Sequence, residues 1–119
     1  ARLPALTNLS LRDNGLGIGS YNVLGPWLAR HPIRSLDLSD NPMRDHGLLA
    51  LLEGGAFVGV EVLALSNCGI GDVGARLLCD SAIRPRTLSL HGNELSDPAW
   101  ALLRERFGDA VPPLDDIPF

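Results

Sequence analysis

The stretch Leu36-Asp37-Leu38-Ser39-Asp40-Asn41 alternates apolar and polar residues and ends on an amide side chain. That is the pattern of a short half-buried strand running into a turn. Close copies stand at Leu9-Ser10-Leu11-Arg12-Asp13-Asn14, Leu63-Ala64-Leu65-Ser66-Asn67-Cys68 and Leu88-Ser89-Leu90-His91-Gly92-Asn93. Leu9 to Leu36 is 27 residues, Leu36 to Leu63 is 27, and Leu63 to Leu88 is 25. Self-similarity at such a period marks a solenoid, whose stacked repeats share a core that none can bury alone.

Working outward, each copy fits one register: apolar, x, x, Leu, x, Leu, x, x, Asn or Cys, x, apolar. The four instances are Leu6 to Leu16, Ile33 to Met43, Val60 to Ile70 and Pro85 to Leu95. The leucines point inward from strand and turn, and the column Asn14, Asn41 and Asn93 is placed to bond turn backbone that a bend leaves unpaired. Cys68 takes that column in the third copy, a structural position with little expected reactivity. Each later copy then places an Asp before a helical pattern, at Asp45, Asp72 and Asp97, so these are expected to be N-caps. Pro98 agrees, since proline suits the first helical position. The buried helical faces are expected to be Leu48, Leu51 and Leu52, then Ala75, Leu78 and Cys79, then Trp100, Leu103 and Phe107.

The first copy departs from this scheme. Ile18 stands where the others have Asp, and Gly25-Pro26 interrupts the helical pattern, which predicts a shortened or kinked element. Ser20 is its candidate cap, and Val23, Leu24, Trp27 and Leu28 its apolar face. His31-Pro32, Gly54-Gly55 with Phe57, and Ile83-Arg84-Pro85 mark the returns to the sheet. The third return is two residues shorter than the others, and Phe57, in a glycine-flanked loop, is the exposed aromatic to expect on the convex side.

This chain resembles the leucine-rich repeat proteins over about residues 6–107, and its long period and helical second halves are similar to the ribonuclease-inhibitor-like class. The wording Leu-Arg-Glu-Arg-Phe-Gly-Asp-Ala-Val near the end is similar to how some bacterial members finish. The resemblance implies an α/β solenoid: a short right-handed β/α horseshoe of about four repeats, parallel sheet on the concave side, helices on the convex side. Repeats fall near 6–32, 33–59, 60–84 and 85–107, and 108–119 forms a C-terminal cap and tail in which Phe107, Val111 and Leu114 cover the last layer. Only Ala1 to Ala5 precede the first repeat. That is too little for a cap, which leaves Leu3 and an N-terminal edge open to self-association, and the start at Ala1 without an initiator Met makes a piece of something longer the expectation.

Composition narrows the function. The 119 residues include 23 leucines and six aromatics, all ten basic residues are Arg, and the net charge is −4. The spread of charge argues against a nucleic-acid surface, no apolar run reaches the length of a membrane span, and a cytoplasmic location is the expectation. Cys68 and Cys79 are too few for a disulfide framework or a four-ligand zinc site. His31, His46 and His91 have no ligands at metal spacing, Gly15-Leu16-Gly17-Ile18-Gly19 lacks the dinucleotide spacing and the phosphate-loop Lys, and no Ser sits in a nucleophile elbow. The Asn8-Leu9-Ser10 sequon falls on a strand, where a glycan would crowd the sheet. Asp115-Asp116 reads as a solvated tail. No enzyme, cofactor or metal is expected.

What remains is surface. The register displays Asn8, Ser10 and Arg12; Ser35, Asp37 and Ser39; Val62, Ala64 and Ser66; and Thr87, Ser89 and His91 on the concave sheet. A turn column of Asp13, Asp40, Asn67 and Gly92 follows. Among these Arg12, Asp13, Asp37, Asp40 and His91 are the partner-binding candidates, because charged or planar groups give geometry and specificity. Trp27 and Trp100 lie on the helical side and are expected to pack. The resemblance implies a non-catalytic interaction or scaffold module that binds a protein or a neighbouring domain of its own chain. Fold analogy alone supports two alternatives: the sensing or autoinhibitory end of a nucleotide-binding immune receptor, and a regulatory domain of a GTPase activator or ubiquitin-ligase effector.

Overall fold

The computed structural model describes residues 7–112. Strand and helix alternate through four units: β1 (Asn8–Ser10), α1 (Ile18–Arg30), β2 (Ser35–Asp37), α2 (Arg44–Glu53), β3 (Val62–Ala64), α3 (Asp72–Asp80), β4 (Thr87–Ser89) and α4 (Asp97–Phe107). The strands form one parallel sheet in sequence order. Leu9, Leu36, Leu63 and Leu88 stand side by side across it, so the spacings of 27, 27 and 25 are the register itself. Helices pack on one face, and the other face carries the alternate side chains. This is the β/α solenoid of about four repeats.

The core is a stack of aliphatic layers: Leu36 and Leu38 with Met43, Leu63 and Leu65 with Ile70, and Leu88 and Leu90 with the half-buried Leu95, backed by Leu48, Leu51, Leu78 and Leu103 from the helices. Leu9, Leu11 and Leu16 are half-buried against it. At the far end Val111 is buried, Ala110 nearly so, and Phe107 half-buried beside a 3-10 turn at Gly108–Ala110, so this end carries an apolar cover. Leu3, Leu6 and Leu114 lie outside the described residues. Trp100 packs as expected, with Arg104 over its ring at 5.6 Å.

The amide column joins one repeat to the next. Asn41 is fully buried, and its Oδ1 accepts from the backbone amides of Asn14 (3.0 Å) and Leu16 (3.2 Å) in the preceding repeat. Its Nδ2 donates to the carbonyls of Leu11 and Leu38, both at 2.9 Å, and lies 3.2 Å from that of Ser39. Asn93 repeats the arrangement, accepting from Cys68 and Ile70 and donating to Leu65 and Leu90. Cys68 can do half of this. Its thiol donates to the carbonyls of Leu38 (3.3 Å) and Ser66 (3.4 Å) but offers no oxygen to accept an amide. The preceding loop also folds differently: Met43 N turns to Asn41 O at 2.7 Å, and Arg44 takes a left-handed φ of 57°. Burial pushes the Cys68 thiol up to about 11, so thiolate chemistry is suppressed.

The expected Asp caps are corrected. Ser96 is the N-cap of α4, its Oγ accepting from Ala99 N at 3.2 Å, while Gly71 and Met43 precede α3 and α2 without a side-chain cap. Asp45, Asp72 and Asp97 stand in the first turns instead. From there Asp45 and Asp72 reach forward. Asp45 Oδ1 accepts from Gly71 N at 2.8 Å, and Asp72 accepts from Ser96 N (2.9 Å) and from its hydroxyl (2.6 Å). A carboxylate one residue inside the helix points along the stack toward the next unit's helix start, where amides are still unpaired.

The hydroxyl and amide of Ser96 hold the Asp72 carboxyl below its ordinary value of 3.8. A folded value below the unfolded one means that this carboxylate contributes fully above the unfolded value and loses its contribution as pH falls through the lower folded value. Asp72→Asn is therefore expected to flatten the loss of stability as pH falls below about 4, read from urea midpoints across the acid range. An equally steep acid loss in the variant would rule the carboxylate out.

The first helix also differs from expectation. Gly25-Pro26 does not shorten it: α1 runs 13 residues with Pro26 inside and Gly17, not Ser20, at its N-cap. The reason lies in packing. A Cβ on Gly54 would stand 2.9 Å from the Gly25 backbone and 3.0 Å from Pro26 Cδ. The dipeptide is where α1 and α2 touch, and Pro26 costs one amide bond on the exposed Asn22 side, which water can satisfy. The apolar face is corrected too: Tyr21 and Leu28 are buried and Leu24 half-buried, whereas Val23 is 74% exposed and Trp27 lies outside, stacked on His31 at 4.1 Å. Burial raises the Tyr21 hydroxyl to about 12, and that hydroxyl donates to Leu16 O at 3.3 Å. The matching carbonyl in the third repeat, Ile70 O, takes Glu94 N, but Pro42 has no N–H to offer Leu16. Phe57, expected outside, is 2% exposed: the return folds it into the core and leaves Val58 outside at 75%. Leu52, Cys79 and Phe107 are half-buried rather than buried.

Candidate functional site

The side chains that the helices do not cover lie on the open face of the sheet. Each strand ends in a bend whose second residue is left-handed: Asp13 (φ 52°), Asp40 (62°), Asn67 (53°) and Gly92 (77°). Asp, Asn and Gly are the residues that tolerate this region, so the turn column has a conformational reason before any functional one. At Gly92 the requirement is double, because a Cβ there would run into the Asn67 side chain.

This geometry lays the column's side chains in a row. Arg12 Nε donates to Asp40 Oδ2 at 2.6 Å, and Asn67 Nδ2 donates to Asp40 Oδ1 at 2.9 Å. Asp37 Oδ2 lies 3.8 Å from the same guanidinium, and its Oδ1 accepts from Ser39 N at 2.9 Å. The hydrogen bond from Arg12, then that from Asn67, holds the Asp40 carboxyl below the usual carboxylate range, and the bond to Asp40 raises the Arg12 guanidinium. These groups are solvent-exposed, so the row fixes geometry more than it adds stability.

Of the five candidates, the structure brings Arg12, Asp37 and Asp40 together. His91 stands in a neighbouring pair, its Nδ1 3.3 Å from Ser66 Oγ. Asp13 makes no side-chain hydrogen bond among the described residues. Asn67 belongs to the row and was not among the candidates; its signal was its place in the column between Asp40 and Gly92. Ser39 and Ser66, expected on display, are buried at the bend, where Ser39 Oγ accepts from Ser66 N at 3.1 Å. Alternation places both outward, but the chain turns under the next repeat just there. The floor between the charged ends is small: Ser10, Ser35, Ala64, Thr87 and Ser89, with Val62 half-exposed.

Residues 31–52 and 60–79 match the leucine-rich repeat family. This part of the chain is a leucine-rich repeat region. The matched segments span β2 with most of α2, and β3 with most of α3. Asp37, Asp40 and Asn67 fall inside the matched segments. No curated protein matches the chain.

The chemistry available at this face is binding through side chains. Among the described residues no group of three or more His, Cys, Asp or Glu is placed to hold a metal ion, and no helix is long and apolar enough to cross a membrane. Strand amides are consumed in the sheet, as in Leu38 N to Ala64 O and Leu65 N to Ser89 O. A partner therefore meets fixed charges and hydroxyls rather than free backbone.

Proposed function

We propose that this chain is a non-catalytic protein-interaction or scaffold module, which binds a protein partner, or a neighbouring domain of its own chain, through the concave sheet face. The row Arg12–Asp40–Asn67 carries the reading. Its side chains are already held in place, so a partner that fits them loses less conformational freedom on binding. Arg12, Asp13, Asp37, Asp40 and His91 are the contact residues on this reading, with Asn67 added. We assign the repeats to the ribonuclease-inhibitor-like class on their period and full helices. They divide near 6–32, 33–59, 60–84 and 85–107, with 108–119 as cap and tail. Two unpaired thiols, one of them fully buried, support a reducing, cytoplasmic setting.

The test is capture of a specific partner by the immobilised chain, wild type against Asp37→Arg. The variant sets a second guanidinium against Arg12 and reverses the charge of the face, and it is expected to reduce capture about tenfold. Circular dichroism of the two proteins checks that the fold is kept. Undiminished capture by a folded variant removes the concave face from consideration.

A further inference from the structure

The return after α2 takes eight residues, 54–61, to reach β3, and the return after α3 takes six, 81–86, to reach β4. A cleft of about 570 Å³, open on one side, is lined by these two loops. Its floor is Phe57, Val60 and Ile83, and Val58 stands at its lip with 75% of its surface exposed. Arg106 Nη2 donates to the carbonyls of Ser81 (3.1 Å) and Ile83 (2.9 Å), which pins the far wall. Two charged residues line the opening. Glu61 is already engaged, with Arg34 Nη2 at 2.6 Å, whereas Arg84 makes no ion pair among the described residues.

We propose that this cleft receives one large apolar side chain from a protein partner, with a carboxylate next to that residue held by Arg84. The apolar floor and the uncovered Val58 call for an apolar group, and the uncommitted guanidinium calls for an anion beside it. A protein segment fits better than a free small molecule, because ligand sites enclose most of their ligand and this cleft is open along one side. As an anchor within a wider contact it needs to bury only one side chain. The cleft lies at the strand starts and returns, away from the Arg12–Asp40–Asn67 row, so the inference does not rest on the concave-face reading.

The test uses ¹⁵N-labelled protein and three capped heptapeptides: Gly-Ser-Phe-Asp-Asp-Ser-Gly, the same with Phe replaced by Ser, and the same with both Asp replaced by Lys. The Phe-Asp-Asp peptide is expected to shift the amides of Val58, Gly59, Ser81 and Ala82, with about tenfold weaker binding for each of the other two. Arg84→Glu is expected to cost the same factor, and Ala82→Trp, which fills the opening from an exposed position, to abolish the shifts. Both variants are compared with wild type by their spectra, which report the fold directly. The proposal is overturned if the Phe-Asp-Asp peptide leaves these amides unmoved, if the Lys peptide binds as well, or if folded Ala82→Trp binds unchanged.

Discussion

Asn41→Ala is expected to destabilise the chain by about 4 kcal/mol, a cost in the range reserved for broken buried networks. The side chain is fully buried and serves five backbone groups in two repeats, the amides of Asn14 and Leu16 and the carbonyls of Leu11, Leu38 and Ser39. Alanine leaves the amides of Asn14 and Leu16 and the carbonyl of Leu11 without it in a space that water reaches poorly, whereas Ser39 O keeps Asp13 N and Leu38 O keeps the Cys68 thiol. Two companion variants separate this cause from loss of volume. Asn14→Ala, at an exposed position with one bond to Arg12 O, is expected to cost less than about 1 kcal/mol. Asn41→Cys is expected to fall between, since the thiol of Cys68 shows that sulfur can still donate to the carbonyls. Urea unfolding followed by circular dichroism ranks the three. Equal costs for Asn41→Ala and Asn14→Ala would mean that the column is not what joins the repeats.

Gly54→Ala should be the next largest, about 2–3 kcal/mol. Gly54 has φ −77° and ψ −8°, a conformation that alanine adopts freely, so no backbone strain enters. The cost is steric. The new methyl would stand 2.9 Å from the Cα and carbonyl carbon of Gly25, and backbone cannot turn aside as a side chain can. α1 must move away from α2, loosening the contacts around Leu28 and Leu51. Gly19→Ala, inside the first turn of α1 with nothing within 4 Å of its Cβ, is the control that is expected not to destabilise. A Gly54→Ala protein as stable as wild type would show that the two helices can part without loss.

The strand register was legible in the sequence because Leu9, Leu36, Leu63 and Leu88 recur at a fixed spacing, and parallel stacking leaves identical residues side by side. Asn14, Asn41 and Asn93 were legible as turn residues for the same reason. What a single repeat cannot reveal is which neighbour a side chain bonds. Asp45 and Asp72 look like caps because the local pattern is that of a cap, and only the stacked structure shows the amide in front of them. Gly25-Pro26 looks like a break because propensity is a local quantity, whereas its purpose lies in the approach of α2. Phe57 went astray through its glycine neighbours: they suggested an exposed loop, yet the same flexibility lets the loop turn the ring inward. At the candidate site, Arg12, Asp37 and Asp40 were found by alternation and charge. Ser39 and Ser66 were misplaced because alternation ends where the chain bends.

The seams between repeats are unequally bonded, and that bears on how the molecule can move. Between the third and fourth repeats both links are present, Asn93 reaching back and Asp72 reaching forward. Between the second and third, a thiol replaces the amide; between the first and second, Ile18 replaces the carboxylate. Bending should therefore gather in the first two seams, with the last pair of repeats acting as a stiff base. Amide hydrogen exchange would show this as slow exchange around β3 and β4 and faster exchange around β1 and β2. The acidic candidates Asp37 and Asp40 ride on the more compliant half, so the face that displays them can open or tighten its curve while the far half holds still.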